Sequence, residues 1–230
     1  MINSKEEYYY HLEADRIALA KPLNKSLSIY DRLNCFIFKD YIWEFQKTLR
    51  KLEFLKNKKK NVFENIHYLF VLKKFKSLSY KLGFTIPPNV FGPGLSIAHY
   101  GNIVVNPNSI IGSNCRIHSD VNIGTQAGFA DKSPIIGDNV YIAPGAKLFG
   151  DIRIANNTII GANAVVNLSF NREYIAIGGI PSKIISENIE IDNVLIRATN
   201  IIKLGLNNND SLYKLTSLEI KALLNEKEGC

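Results

Sequence analysis

The stretch Ile136-Gly137-Asp138-Asn139-Val140-Tyr141-Ile142-Ala143-Pro144-Gly145-Ala146-Lys147-Leu148 carries a large aliphatic residue at every sixth position. Towards the C-terminus the same step reaches Ile154, Ile160 and Val166. Towards the N-terminus it meets Ile123, Ile117 and Ile111, then Ile103, Ile97 and Phe91. Small or turn-prone residues fill the intervals, among them Gly92, Gly112, Gly124, Gly137, Gly145, Gly150 and Gly161, with Asn106, Asn108, Asn114, Asn139, Asn156 and Asn157. The fourth residue beyond an anchor is mostly small or apolar too: Leu95, Cys115, Val121, Ala127, Val140, Ala146, Ile152 and Ala164. A period of six matches neither a helix nor simple alternation. It describes a short strand plus a tight corner, repeated, which is the pattern of a parallel β-helix. The anchors stack in columns inside, while Gly and Asn take corners that need positive φ. With three anchors per coil and about 4.8 Å between strands, the pattern predicts a prism of about four coils.

Two intervals break the step. Ile103 to Ile111 spans eight residues, which predicts a corner enlarged by two residues around Asn106 and Pro107. Ile123 to Ile136 spans thirteen, which predicts a loop between Gly124 and Ile135. A regular solenoid has no structural need for that loop, and loops on rigid scaffolds often carry function.

The chain has 230 residues, enough for one solenoid with helical flanks. Its three cysteines, Cys35, Cys115 and Cys230, are scattered and form no CxxC pair, so a reducing, cytoplasmic setting is expected. Cys115 falls on an inward position and reads as core. Glu6 and Glu7 stand where the apolar segment of a signal peptide would lie, and no apolar run approaches membrane-spanning length. The net charge of +7 favours anionic partners such as a phosphorylated cofactor, an acidic polysaccharide or a membrane surface. Much of it lies in Lys56, Lys58, Lys59, Lys60, Lys73, Lys74 and Lys76, so peripheral membrane or polyanion contact is assigned to this basic N-terminal region. No nucleic-acid module is recognisable.

Residues 1–83 read as helices. Ser4 and Glu7 form a capping box ahead of Tyr8, Leu12 and Ile17, and Pro22 ends that helix. Ile29, Leu33, Phe36 and Ile37 form one stripe, and Trp43, Leu49, Leu52 and Leu55 another. Asn61 caps a third helix carrying Ile66, Leu69, Leu72 and Phe75, which ends at Gly83. Pro87 and Pro88 bar further helix, and the solenoid fills 84–186. The tail, 187–230, is polar and Asn-rich, including Asn207, Asn208 and Asn209. It carries one more expected helix, with Thr216 and Glu219 as capping box, Leu218, Ile220, Leu223 and Leu224 as stripe, and Gly229 as its end.

The segment Gly92-Pro93-Gly94-Leu95-Ser96-Ile97-Ala98-His99-Tyr100-Gly101-Asn102-Ile103-Val104-Val105 resembles the catalytic stretch of the serine acetyltransferase-like branch of hexapeptide acyltransferases, a group that includes polysaccharide O-acetyltransferases. Residues 135–166 resemble the later coils, and Gly179-Ile180-Pro181-Ser182-Lys183 the closing motif. The resemblance covers roughly 85–185. It implies a left-handed solenoid, a homotrimer with active sites between subunits, acetyl-CoA as donor, and no metal. His99 matches the catalytic histidine, and a neutral imidazole there suits removal of a hydroxyl proton. His118, one residue past Ile117, stacks on Ala98 and is a candidate acceptor contact with Tyr100, Asp131, Lys132 and Ser133. Ala143, Gly145, Gly161 and Ala162 match the strips along which family members lay the pantetheine arm. Lys183 stands for a basic residue near the CoA phosphates, and Thr125 opens the loop.

Three departures bear on the acceptor. The resemblance calls for Asp before the histidine, for Arg-His-Pro in the loop and for an acidic residue near the solenoid's start. This chain has Ala98, Lys132-Ser133-Pro134 and Phe84. The leading expectation is therefore an acetyl-CoA-dependent O-acetyltransferase acting on a saccharide hydroxyl in surface or capsular polysaccharide biosynthesis. The alternatives are an L-serine O-acetyltransferase of cysteine biosynthesis and a non-catalytic trimeric scaffold.

Overall fold

The computed structural model describes residues 1–21 and 37–205. The expectations that fall on Pro22, Ile29, Leu33, Cys35 and Phe36, and on the tail from Asn207 to Cys230 with its Thr216–Gly229 helix, lie outside the described residues.

Short strands, numbered in chain order, wind into a three-sided prism. One face holds β1 (Phe84–Thr85), β3 (Ile103–Val105), β6 (Asn122–Gly124), β9 (Lys147–Phe149) and β12 (Val165–Val166). The second holds β4 (Ile110–Ile111), β7 (Ile135–Ile136) and β10 (Arg153–Ile154). The third holds β2 (Ser96–Ile97), β5 (Arg116–Ile117), β8 (Tyr141–Ile142), β11 (Thr158–Ile160) and β13 (Ile175–Gly178). These strands pair in parallel, and β14 (Lys183–Glu187) closes the third face antiparallel to β13. Every anchor from Phe91 to Val166 is at most 4% exposed.

The register corrects one reading. The columns are Ile97–Ile117–Ile142–Ile160–Ile177, Phe91–Ile111–Ile136–Ile154, and Val105–Ile123–Leu148–Val166. Val105, not Ile103, stands over Ile123. The two extra residues therefore lie between Ile97 and Val105, in the corner bearing His99, and not around Asn106 and Pro107. Ile103 and Val105 are both apolar, both buried and two residues apart, so spacing cannot choose between them. Ala127 likewise lies in the exposed loop instead of pointing inward.

A second set of corners shows why asparagine recurs. Asn114, Asn139 and Asn157 have φ of 56°, 56° and 55°, a region few other side chains tolerate. Their amides form a ladder: Asn114 Nδ2 donates to Asn139 Oδ1 (2.8 Å), Asn139 Nδ2 to Asn157 Oδ1 (2.9 Å), and Asn157 Nδ2 to Glu173 Oε2 (3.2 Å). Gly94 turns this corner in the first coil at φ 83°. A Cβ there would sit 2.5 Å from Asn114 Oδ1, so only glycine fits.

Helices close the N-terminal end of the prism. Ser4 caps α1 (Lys5–Ala18), accepting from the Glu7 N–H, and Asp40 caps α2 (Tyr41–Asn57). Asn61 and Glu64 form a full capping box for α3 (Val62–Leu82), which ends in left-handed Gly83. Phe45, Leu49 and Leu52 of α2 join the solenoid core. Arg50, fully buried, donates from Nε to Asp15 Oδ2 (2.7 Å), from Nη1 to Glu53 Oε2 (3.0 Å) and the Phe91 carbonyl (2.9 Å), and from Nη2 to the Gly92 carbonyl (2.6 Å). Asp15 Oδ1 in turn accepts the N–H groups of Gly94 and Leu95 at 2.9 Å. One ion cluster thus joins α1, α2 and the first coil.

The packed face of α3 differs from expectation. Phe75, Leu78 and Leu82 are buried, with Tyr68, Val71 and Leu72 beside them, whereas Ile66 (48% exposed) and Leu69 (60%) face outward. This helix is apolar on two sides, so its pattern does not single out one stripe. After β14 the chain returns to α1, where α4 (Ala198–Lys203) packs Ala198 and Ile201 on Ala14, Ile17 and Ala18. Among the described residues no helix is long and apolar enough to cross a membrane.

Candidate active site

Ile97, Ile117, Ile142, Ile160 and Ile177 are in register, so the residues after them turn one shared edge of the prism. That edge carries Ala98-His99-Tyr100, then His118-Ser119, Ala143-Pro144-Gly145, Gly161-Ala162 and Gly178-Gly179. Lys183 lies opposite Gly178 at its end. The edge is bulky in its first two coils and nearly bare below, where Ala and Gly predominate. It forms a strip that a slender chain can follow down from His99.

The two-residue insertion pushes the His99 corner outward. His99 is exposed and Tyr100 is 75% exposed. The corner is nonetheless pinned at both ends. Ala98 N–H donates to the Ile117 carbonyl (3.0 Å), and Gly101 and Ile103 N–H donate to the Leu82 and Gly83 carbonyls (3.0 and 3.1 Å). A Cβ on Gly83 would lie 3.1 Å from the Gly101 carbonyl oxygen, so the end of α3 approaches the corner closely. No described side chain hydrogen-bonds the His99 imidazole. Its ring neighbour is His118, with centroids 5.8 Å apart.

His118 is 9% exposed, and its Nε2 is buried without a hydrogen-bond partner. Burial, then the Arg116 guanidinium and His99, push its pKa down to about 4, so it is neutral at neutral pH. Tyr141 packs on its other side, with centroids 5.0 Å apart. Arg116 Nη1 donates to Ser96 Oγ at 3.2 Å. Tyr141, Arg116 and Ser96 were not singled out from the sequence. They share one outward column, Ser96–Arg116–Tyr141, which becomes readable only when the coil register is known.

The backbone amides expected to receive a pantetheine arm are partly occupied. Ala143 N–H donates to the Ile160 carbonyl (2.9 Å), Gly145 N–H to Ser119 (3.0 Å) and Gly161 N–H to Ile177 (2.8 Å). Their use to a ligand is the smooth, side-chain-poor surface they create, continued by exposed Ala162.

The loop residues lie elsewhere. Thr125, Asp131, Lys132 and Ser133 leave between β6 and β7, at the opposite end of the first face from His99. The loop is held by its own contacts: Gln126 N–H to the Lys132 carbonyl (3.0 Å), Asn108 Nδ2 to the Ala130 carbonyl (2.8 Å), and Ser133 Oγ to Asn106 Oδ1 (3.2 Å). Lys132 Nζ sits 4.2 Å from the Phe129 ring centroid. Within one chain the structure does not bring these four residues to His99.

A cavity of about 470 Å³ opens between Asn102 and the end of α3, lined by Gly83, Phe84, Phe75, Ser79 and Tyr80 with Lys76 at its wall; neither His99 nor His118 lines it. Among the described residues no carboxylate lines it. Among the described residues no group of His, Cys, Asp or Glu is placed to hold a metal ion.

Residues 133–167 match the family described as bacterial transferase hexapeptide (six repeats). The chain is 39% identical over 108 residues to the serine acetyltransferase of Staphylococcus aureus strain Mu50, covering 46% of this chain and 50% of that protein. It is 38% identical over 107 residues to that of Staphylococcus epidermidis strain RP62A, with the same coverage. It thus spans about half the length of these relatives. Among solved structures, the serine acetyltransferase of Brucella abortus strain S19 in complex with coenzyme A superposes with a TM-score of 0.62 at 22% identity, over 80% of this chain and 69% of that one. The Neisseria gonorrhoeae serine acetyltransferase gives 0.61 at 22%, over 81% and 68%. The fold is therefore the left-handed β-helix of these proteins, and the solenoid is a hexapeptide-repeat unit similar in sequence to serine acetyltransferases.

Proposed function

We propose that the chain transfers an acetyl group from acetyl-CoA to a hydroxyl, with His99 as general base. The observation that carries this reading is the placement of His99: exposed, without a hydrogen bond, at the head of the edge that descends over small residues to Lys183. The acceptor hydroxyl gives its proton to His99 as its oxygen attacks the thioester carbonyl carbon. Collapse of the tetrahedral oxyanion breaks the C–S bond, and the departing thiolate takes the proton from His99. Ala143, Gly145, Gly161 and Ala162 flank the donor's arm, and Lys183 meets its phosphates. The structures of the same fold solved with coenzyme A support this donor.

L-Serine is the acceptor favoured by the relatives, which are named serine acetyltransferases. A saccharide hydroxyl is the second reading, favoured by Ala98 and Ser133, which are neutral where the resemblance calls for Asp and His. The ammonium and carboxylate of serine need charged partners, whereas a neutral sugar needs only hydrogen-bond partners.

The reading extends to assembly. Since one chain separates the loop from His99, three copies around an axis would set Thr125, Asp131, Lys132 and Ser133 of one copy against the edge of the next. A cytoplasmic enzyme that touches a membrane or polyanion through Lys56, Lys58, Lys59 and Lys60, beside exposed Val62 and Phe63, completes it. The test is incubation with acetyl-CoA and either L-serine or a glycan panel, following free thiol and product mass. Acetylated product with a hydroxyl acceptor is expected. Acetyl-CoA left intact with every acceptor would leave the scaffold reading standing.

A further inference from the structure

His118 is a buried base that the reaction above does not use. It lies next to a catalytic imidazole that no described side chain hydrogen-bonds. Its Nε2 has no partner, its ring is fixed by Tyr141 behind it, and His99 stands in front. A buried polar atom left unpaired is rare in native proteins and calls for a role. An N–H···N bond of ordinary length places two imidazole centroids about 5 Å apart, and these stand at 5.8 Å, tilted by 52°. A small swing of exposed His99 closes that gap, whereas His118 is held in place.

We infer that His118 is a positioning residue: its Nε2 lone pair accepts the inward N–H of His99, which leaves the other His99 nitrogen as the lone pair that faces the acceptor hydroxyl. The inference rests on the acetyl-transfer reading and adds what orients its base. Proton and electron bookkeeping is unchanged, because His118 never takes the proton. It accepts a hydrogen bond that strengthens when His99 becomes imidazolium, and it weakens again when the thiolate removes that proton. The groups facing His118 are Arg116 on its own strand, Tyr141 on the next coil and His99 on the previous one. The positive charge of Arg116 and the burial keep His118 in the neutral state that can accept.

Two variants separate this role from packing. His118→Phe keeps an aromatic ring beside Tyr141 without an acceptor atom, and His118→Asn restores an acceptor in a smaller side chain. The expected result is a 10- to 100-fold loss of kcat in His118→Phe with KM for acetyl-CoA unchanged, and recovery of at least a third of that loss on a logarithmic scale in His118→Asn. A ring-nitrogen ¹⁵N NMR spectrum supplies a readout that needs no turnover. His99 is expected as a single tautomer in the unmodified chain and as a tautomer mixture in His118→Phe. Equal kcat in His118→Phe, equal losses in both variants, or an unchanged His99 tautomer would each overturn the inference. A locked tautomer in a chain that acetylates nothing would instead uphold the pairing and sink the acetyl-transfer reading.

Discussion

A base must be reachable by its substrate, and exposure makes His99 cheap to replace structurally. His99→Ala is expected to lower kcat by about two to four orders of magnitude, the usual weight of a positioned acid–base group, while the thermal midpoint stays within a degree or two. Thiol release and a melting curve on the same sample check both halves. Two other histidines tie stability to pH. Burial, then Arg50 and the N-terminal ammonium, hold His11 down at about 3, and His118 sits at about 4. Unfolded, both take a proton near 6.5, so between that value and about 4 the unfolded chain binds more protons and stability rises with pH. Urea midpoints should be level above pH 7 and fall steadily from pH 6.5 to pH 4, with His11→Phe flattening the slope. His99 was legible in the sequence because it sits in a recognisable run beside the anchors. Tyr141 was not, since its importance comes from lying one coil beyond His118, a neighbour twenty-three positions away.

Among the described elements, the join between helices and solenoid holds a fully buried ion cluster. Arg50→Ala would leave the carboxylates of Asp15 and Glu53 buried beside unpaired carbonyls of Phe91 and Gly92. It is expected to cost about 3–5 kcal/mol, visible as a large drop in denaturant midpoint. Asn139→Ala removes a rung from the corner ladder together with a residue suited to positive φ, and about 1–3 kcal/mol is expected by the same measurement. The ladder was half legible: asparagine at corners follows from backbone sterics, but the side-chain bonds from coil to coil need the register. The same limit explains the misplaced insertion, where Ile103 and Val105 offered equally good anchors. In α3 the difficulty was different. Leu69 and Phe70 continue an apolar pattern on the side away from α2, and periodicity says nothing about which side the rest of the chain will cover.

For the whole molecule, the separation of loop and His99 edge makes a specific demand on assembly. Light scattering should give three chain masses. A chain lacking residues 126–132 should keep that mass yet lose at least 100-fold in turnover. Mixed with His99→Ala, it should recover part of the activity, because some interfaces then pair an intact loop with an intact base. Failure of the mixture to recover, with both variants trimeric, would place the complete site within one chain. The solenoid itself was legible because hexad spacing is a one-dimensional code, but the predicted four coils fell short. β13 (Ile175–Gly178) adds a rung beyond Val166, where the step of six has lapsed, and the return of the tail onto α1 left no trace either. The Arg50 cluster has a further consequence for how the chain comes into being. Asp15, Arg50 and Glu53 leave the ribosome before Phe91 to Leu95, so the platform for the first coil exists before that coil does. Each later coil then finds its hydrogen-bonding partner among residues made moments earlier. Synthesis at about 5–20 residues per second would add a coil in about 1–4 seconds, and the antiparallel β14 arrives after them to shut the open end. Birth order and stacking order coincide, so the nascent chain need never expose a long stretch of unpaired edge.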